Sequence, residues 1–311
     1  MIDIVGKKHW FFLISGILIA IGLVSLVVSH VQLGAPLRLG TDFTGGTSMI
    51  LQFSADAEVS QGQLRSQLTR LGHDEALIQY AGEDNFIIHT RGITSEKAKE
   101  LAGELEEELD SEVRIVDFRS TSPAVAARTA RNAFIAVIVA AVAMMLYIVW
   151  AFRRMPNPFR WGTCAVIALI HDVFIIVGIF SLLGRFAGVT VDSMFITGLL
   201  AVVGYSINNT VVIFDRIREN VSRRVRPDFS ATVNDSLVET LGRCLNTALT
   251  TLFVLMALFL FGGATIQYFV LVLVLGVIIG TYSSLGISSQ LLVVWEKREW
   301  RSLLPFARRP A

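Results

Sequence analysis

The chain has 311 residues, 53% of them hydrophobic and 17% charged, and its net charge is +1. So low a charged fraction, with apolar residues bunched rather than periodic, excludes an ordinary soluble domain and indicates an α-helical polytopic membrane protein. The small net charge provides no basic field for nucleic acid. The only cysteines, Cys164 and Cys244, lie within or beside apolar runs and read as small packing residues, not as a disulfide framework or a zinc site.

Six apolar runs, at 10–28, 133–152, 161–183, 191–214, 245–261 and 268–295, are long enough or nearly so to cross about 30 Å of hydrocarbon. The fifth is short and the last long, which allows for tilt. The first follows Lys7-Lys8; its apolar core is too long for a signal peptide and no small-residue cleavage site follows Ser29, so it reads as an uncleaved anchor. Basic residues set the orientation. Lys7 and Lys8 precede span one, Arg153, Arg154 and Arg160 crowd the link between spans two and three, and Arg216 to Arg226 follow span four. Lys297, Arg298, Arg301, Arg308 and Arg309 follow span six, whereas the opposite links carry Arg185 alone or none. The positive-inside rule then places both termini in the cytoplasm.

The divisions expected are 1–29 for the N-terminus and first span, 30–131 for an extramembrane domain, 132–296 for a five-helix bundle and 297–311 for a tail. Within the domain, 47–53 alternates as a strand, and 59–71 reads as a helix with Leu64, Leu68 and Leu71 on one face. Strands are expected at 76–80 and 85–90, separated by turn residues 82–85, with a second helix at 94–109 capped by Thr94 or Ser95. A last strand at 112–118 places Val113, Ile115 and Asp117 opposite Arg114, Val116 and Phe118. Strand–helix–strand–strand–helix–strand is the order of a ferredoxin-like α+β unit. The acidic run Glu104, Glu106, Glu107, Glu108 and Asp110 is either a solvated helix face or a docking face for a basic partner. Ahead of the first strand, Asp42, Phe43, Gly45 and Gly46 read as a structural corner; the spacing is not that of a phosphate loop.

Polar groups inside the spans are costly and therefore informative. Span four carries Gly204, Ser206, Asn208, Asn209 and Thr210, and ends in Asp215, Arg216, Arg218 and Glu219. Asn208 and Asp215 are seven apart, as are Asn209 and Arg216, and Arg243 and Thr247 in span five also share a face. Two one-sided stripes in neighbouring spans predict facing surfaces. Arg243 is either snorkelling or a counter-ion, since arginine stays charged. Asp172, beside His171 in span three, is either a buried tie between helices or a proton carrier. Gly276 and Gly280, followed by serines, read as a helix-packing face. Nothing assembles a nucleophile, base and oxyanion set or a metal cluster, so no enzyme chemistry, cofactor or metal is expected.

Together, the Asp42-Phe43-Thr44-Gly45-Gly46 corner, His171-Asp172, the 204–220 segment and the Arg243–Thr251 segment resemble the SecD/SecF family of bacterial protein-export subunits, on its SecF side. The resemblance covers essentially the whole chain. It implies half of an RND-type transporter in the inner membrane, with a periplasmic domain between spans one and two. Its implied partners are SecD, the SecYEG channel, unfolded preprotein and the lipid bilayer, with the proton gradient as energy source. One departure matters: the family commonly has Asp where this chain has Asn209, and an amide does not titrate. The resemblance then leaves the proton carrier to SecD or to Asp172. Competing readings are a purely architectural subunit and half of a small-molecule or lipid exporter.

Overall fold

The computed structural model describes residues 2–299 apart from 55–58, 83 and 264. Glu83 of the expected turn and residues 300–311 of the expected tail, with Arg301, Arg308 and Arg309, lie outside the described residues.

Among the described residues, six helices are long and apolar enough to cross a membrane. They are α1 (Lys8–Leu33), α5 (Pro123–Ala151), α6 (Pro158–Phe186), α7 (Ser193–Ser222), α8 (Phe229–Phe261) and a last one in three parts. That last span runs through α9 (Gln267–Ser283), a π-helical segment Ser284–Ser288 and α10 (Ser289–Lys297). Three of the long helices begin at a capping side chain: Ser122 caps α5 ahead of Pro123, Asp192 caps α7 and Asp228 caps α8. The apolar part of α8 looks short because the helix begins sixteen residues before it, as an amphipathic half that buries Val233 and Leu237. Burial sorts the spans: 72% of the most apolar window of the last span is buried, against 6% for α5. The last span is therefore the axis of the bundle, and α5 lies on its outside.

Between α1 and α5 lie a single turn α2 (Thr41–Thr44), β1 (Gly46–Phe53), α3 (Gln61–Arg70), β2 (Leu77–Tyr80), β3 (Asn85–Thr90), α4 (Ser95–Leu109) and β4 (Val113–Thr121). The sheet order is β2-β3-β1-β4, with every neighbouring pair antiparallel. This is the split βαβ arrangement of a ferredoxin-like unit. One sheet face packs Met49, Leu51, Phe53, Ile78, Phe86 and Ile88 under Leu64 and Leu68 of α3 and Ala98, Leu101 and Leu105 of α4. The acidic run on α4 points to solvent.

The last strand departs from simple alternation. A bulge between Ile50 and Leu51 shifts its register, so Leu51 faces Ile115 while Ile50 faces Asp117 and Met49 faces Phe118. Phe118 therefore joins the core side with Val113 and Ile115, while Asp117 turns to the opposite face with Arg119. The sequence reading had these two residues on exchanged faces, because a one-residue bulge reverses the alternation beyond it.

Candidate functional site

The centre of the bundle is polar. Asp172 on α6 is 2% exposed, and all its visible partners are side chains from three helices. One carboxyl oxygen accepts from Ser206 Oγ of α7 at 2.6 Å and from Ser283 Oγ of α9 at 2.8 Å. The other lies 2.9 Å from His171 Nδ1. His171 Nε2 continues to Ser15 Oγ of α1 at 2.9 Å, Ser15 lies 3.1 Å from the Tyr282 hydroxyl, and that hydroxyl donates to the Phe11 carbonyl at 2.7 Å.

Counting hydrogens along this chain is instructive. Tyr282 spends its only hydrogen on Phe11, so Ser15 must donate to Tyr282 and His171 Nε2 must donate to Ser15. The set is complete when one further proton sits between His171 Nδ1 and Asp172, on either atom. In both forms the His171–Asp172 pair is neutral overall. Without that proton, one link of the chain from Asp172 to Phe11 lacks a hydrogen. The pair thus ties α6 to α1, α7 and α9.

Close helix approach builds the rest of the site. α7 and α9 run parallel and mesh at four-residue steps: Gly198 on Val272, Val202 on Gly276, Ser206 on Gly280, Thr210 on Ser284. A Cβ at Gly276 would lie 1.9 Å from Val202 Cγ2, and one at Gly280 2.9 Å from Ser206 Cβ. The glycines therefore let Ser206 reach Asp172. Directly beyond, the π segment releases carbonyls from the regular ladder, and the hydroxyls of Ser288 and Ser289 both bond the Ser284 carbonyl, at 3.0 and 2.8 Å.

The expected transport residues separate into two groups. Asn209 is buried, and its amide donates to Thr281 Oγ1 of α9 at 3.3 Å. Asn208 and Arg243 are exposed on the outside of α7 and α8, and neither side chain has a hydrogen bond or ion pair among the described residues. Thr247 is half-buried and bonds back to the Arg243 carbonyl at 2.9 Å. The predicted facing of the Asn209–Arg216 and Arg243 stripes is corrected: at that level α8 turns the apolar Cys244 and Ala248 inward, so Asn209 meets α9 instead. Arg216 does meet α8, but at Glu239, while also pairing with Glu219 at 2.5 Å. Asp215 is exposed and pairs with Arg218 at 2.6 Å, and Gly204 is exposed.

The glycine corner lies where the domain meets the bundle. Asp42 accepts from both the backbone N–H (3.0 Å) and the hydroxyl of Ser193, adding a second carboxylate to the start of α7 beside Asp192. Gly45 and Gly46 have φ of 79° and 118°, and a Cβ at Gly46 would stand 2.5 Å from the Thr90 carbonyl oxygen. Phe43 packs with the apolar cluster at this end of the bundle. Ser15, Tyr282 and the π segment were not anticipated, because a serine in an apolar helix usually bonds its own preceding turn and gives no pattern.

A family model for the C-terminal part of protein export membrane proteins SecD/SecF matches residues 102–298, and one for the SecD/SecF GG motif matches residues 31–57. The chain belongs to the SecD/SecF family. It is 40% identical to a protein translocase subunit SecF of Thermobaculum terrenum, covering 96% of each chain. To another of that name, from Anaerolinea thermophila, it is 36% identical over 100% of this chain and 99% of that one. Among solved structures it matches SecDF, a translocon-associated membrane protein of Thermus thermophilus, with TM-score 0.82 and 31% identity. That match covers 96% of this chain but 39% of the SecDF chain, so this SecD/SecF member corresponds to less than half of it. The fold is accordingly the six-span, RND-like half of the family with its α+β domain.

Proposed function

We propose that this chain is the SecF-type half of a protein-export complex in the bacterial inner membrane, pairing with a SecD-type half through the outer face of α7 and α8. The observation that carries this reading is that Asn208 of α7 and Arg243 of α8 are both exposed and their side chains have no partner among the described residues. An arginine and an amide left on the outside of a membrane bundle are expensive unless a partner or water receives them. A second membrane-spanning half, corresponding to the part of the SecDF chain that this one does not cover, is the natural cover. The positive-inside pattern puts both termini in the cytoplasm and the α+β domain in the periplasm, where preprotein leaves the SecYEG channel.

The energy source in this reading is the proton gradient, worth about 2.3 kcal/mol per charge per 100 mV. His171–Asp172 is the group in this chain able to hold one proton within a buried network linking α1, α6, α7 and α9. Arg243 serves as counter-ion to a carboxylate of the partner. A second reading, an architectural subunit with proton work done wholly by SecD, is favoured by Asn209, whose amide does not titrate and is fixed on Thr281.

The test is proton-gradient-dependent release of a secreted protein from vesicles containing the whole export complex. Asp172→Asn is expected to reduce release at least tenfold while SecD still co-purifies, and Arg243→Ala to reduce both release and the recovery of SecD. Normal release by both variants returns the architectural reading. Purification as a self-sufficient small-solute exporter without SecD would end both.

A further inference from the structure

We propose that the ferredoxin-like domain is a door on the bundle, hinged beside Gly45-Gly46 and latched by His89 and Gln79 on the segment before α7, and that acid releases the latch. This inference needs no assumption about what the bundle transports.

The frame of the door is firmly built. Val191 donates to the Arg38 carbonyl and Gly40 donates to the Val191 carbonyl, both at 2.7 Å, and Asp42 holds Ser193. The segment 187–192 and the turn α2 are thus one piece with the start of α7. The chain enters the sheet at Gly46 and leaves it at Thr121, and these two residues are paired directly across β1 and β4. Gly45 packs on Pro123, where a Cβ would lie 3.1 Å from its Cα. Both covalent links therefore sit side by side at one end of the β1–β4 pair, as hinge strands do, with positive-φ glycines at the pivot.

On the other side of β1 from β4, the contacts come from β3 and the edge strand β2 and are polar. Thr190 N–H donates to Gln79 Oε1 at 3.0 Å, Thr190 Oγ1 lies 3.0 Å from His89 Nε2, and the Tyr268 hydroxyl of α9 donates to the Tyr80 carbonyl at 3.3 Å. Between hinge and latch a cavity of about 60 Å³ remains, lined among others by Asp42, His89, Asp117, Arg119, Asp192 and Tyr268. Such a polar seam has little of the apolar burial that locks the domain core.

His89 makes the seam sensitive to protons. Its Nδ1 is buried and has no partner among the described residues. A neutral ring tolerates this; an imidazolium would bury an unpaired N–H. Burial accordingly lowers the His89 pKa to about 4, against a partial opposing pull from the Asp42 charge. Once the door opens, the ring meets water and returns towards an ordinary histidine value near 6.5. The closed form thus binds fewer protons than the open one. Its advantage is complete above about pH 6.5 and shrinks as pH falls towards 4, by roughly tenfold at pH 5.5.

The other facing groups are Asp42 from α2, Asp117 and Arg119 from β4, Asp192 before α7 and Tyr268 from α9. Asp117 and Arg119 are paired with each other at 2.9 Å. Asp192 works in the opposite direction. Burial, assisted by Asp42, raises its pKa, so protonating it favours the closed form. Asp192→Asn is therefore expected to steepen the response.

Hydrogen exchange of the full chain in phospholipid nanodiscs tests this, read at the Thr190 amide and corrected for intrinsic exchange. Its protection is expected to fall about tenfold between pH 7.5 and 5.5, while Ile50 and Ile88 in the sheet stay protected. His89→Gln is expected to flatten the response. Thr190→Val, which leaves the sheet intact, is expected to loosen the 187–192 segment at pH 7.5 and keep the pH step. Constant protection in the native chain, an equal fall in His89→Gln, a tight seam in Thr190→Val, or parallel loss at Ile50 and Ile88 would each overturn the latch.

Discussion

α7 carries polar side chains on two sides, and the two sides are built to opposite rules. Its inner side presents Ser206, Asn209 and Thr210 to α6 and α9, where each finds a partner within this chain. Its outer side presents Asn208 and Asp215, as α8 presents exposed Arg243, and the side chains of Asn208 and Arg243 find no partner among the described residues. The inner set belongs to the fold of one subunit. The outer set makes physical sense only with a second body against it. Motif residues adjacent in sequence therefore do different work, separated by the 100° turn between neighbours on a helix.

The inner side should be breakable by shape alone. Gly276→Leu drives a side chain into Val202, whose Cγ2 already occupies the Cβ position, so α7 and α9 must separate. A loss of about 3 kcal/mol is expected, seen as a lowered unfolding midpoint in detergent and a fall in membrane-inserted protein. Asp172→Ala is expected to cost about 2 kcal/mol, because Ser206, Ser283 and His171 lose their common partner in a buried site. Asp172→Asn retains an acceptor and is expected to recover most of that loss in the same measurement. Equal loss in both would mean that the charge, not the hydrogen bonds, holds the helices.

How much of this was legible in the sequence depended on the range of the signal. The ferredoxin-like order was readable because 47–53 alternates, turn residues separate the next two strands and the second helix starts at a capping residue, all local features. The bulge at Ile50/Leu51 left no local mark, so Asp117 and Phe118 were assigned to the wrong faces. Asp172 stood out because a carboxylate in a hydrocarbon span is expensive. Its partners Ser15, Ser283 and Tyr282 did not, since they come from spans more than a hundred residues away and are unremarkable where they stand. The stripe argument expected one polar side on each of α7 and α8, whereas α7 carries polar groups on two. Whether Asn209 or Asn208 faces inward depends on helix packing set by Gly276 and Gly280.

Asn209→Asp sharpens the contrast more gently. Thr281 Oγ1 already donates its hydrogen to the Val277 carbonyl at 2.7 Å, so it has none for a carboxylate. The new side chain must be protonated or turn Thr281 away from its own helix. About 1 kcal/mol of stability is expected to be lost, with dependence of export on the proton gradient unchanged. A gain in that dependence would place this buried position on the proton path.

The smallest expected effect on the chain alone is also the sharpest test of the outer side. Asn208→Leu replaces an uncovered amide by an apolar group that suits lipid, so the isolated chain should change by no more than about 0.5 kcal/mol. In the pair, the same change removes a polar group from a surface that a partner must satisfy, and leaves that partner's group unpaired. Recovery of the SecD-type half in mild detergent should fall severalfold while the unfolding midpoint of the lone chain stays put. An inner-side change such as Asp172→Ala should do the reverse, lowering the midpoint first and recovery only in proportion. If Asn208→Leu destabilised the lone chain as much as Asp172→Ala, α7 would have one buried face and not two, and the assignment of its outer side to a partner would fail.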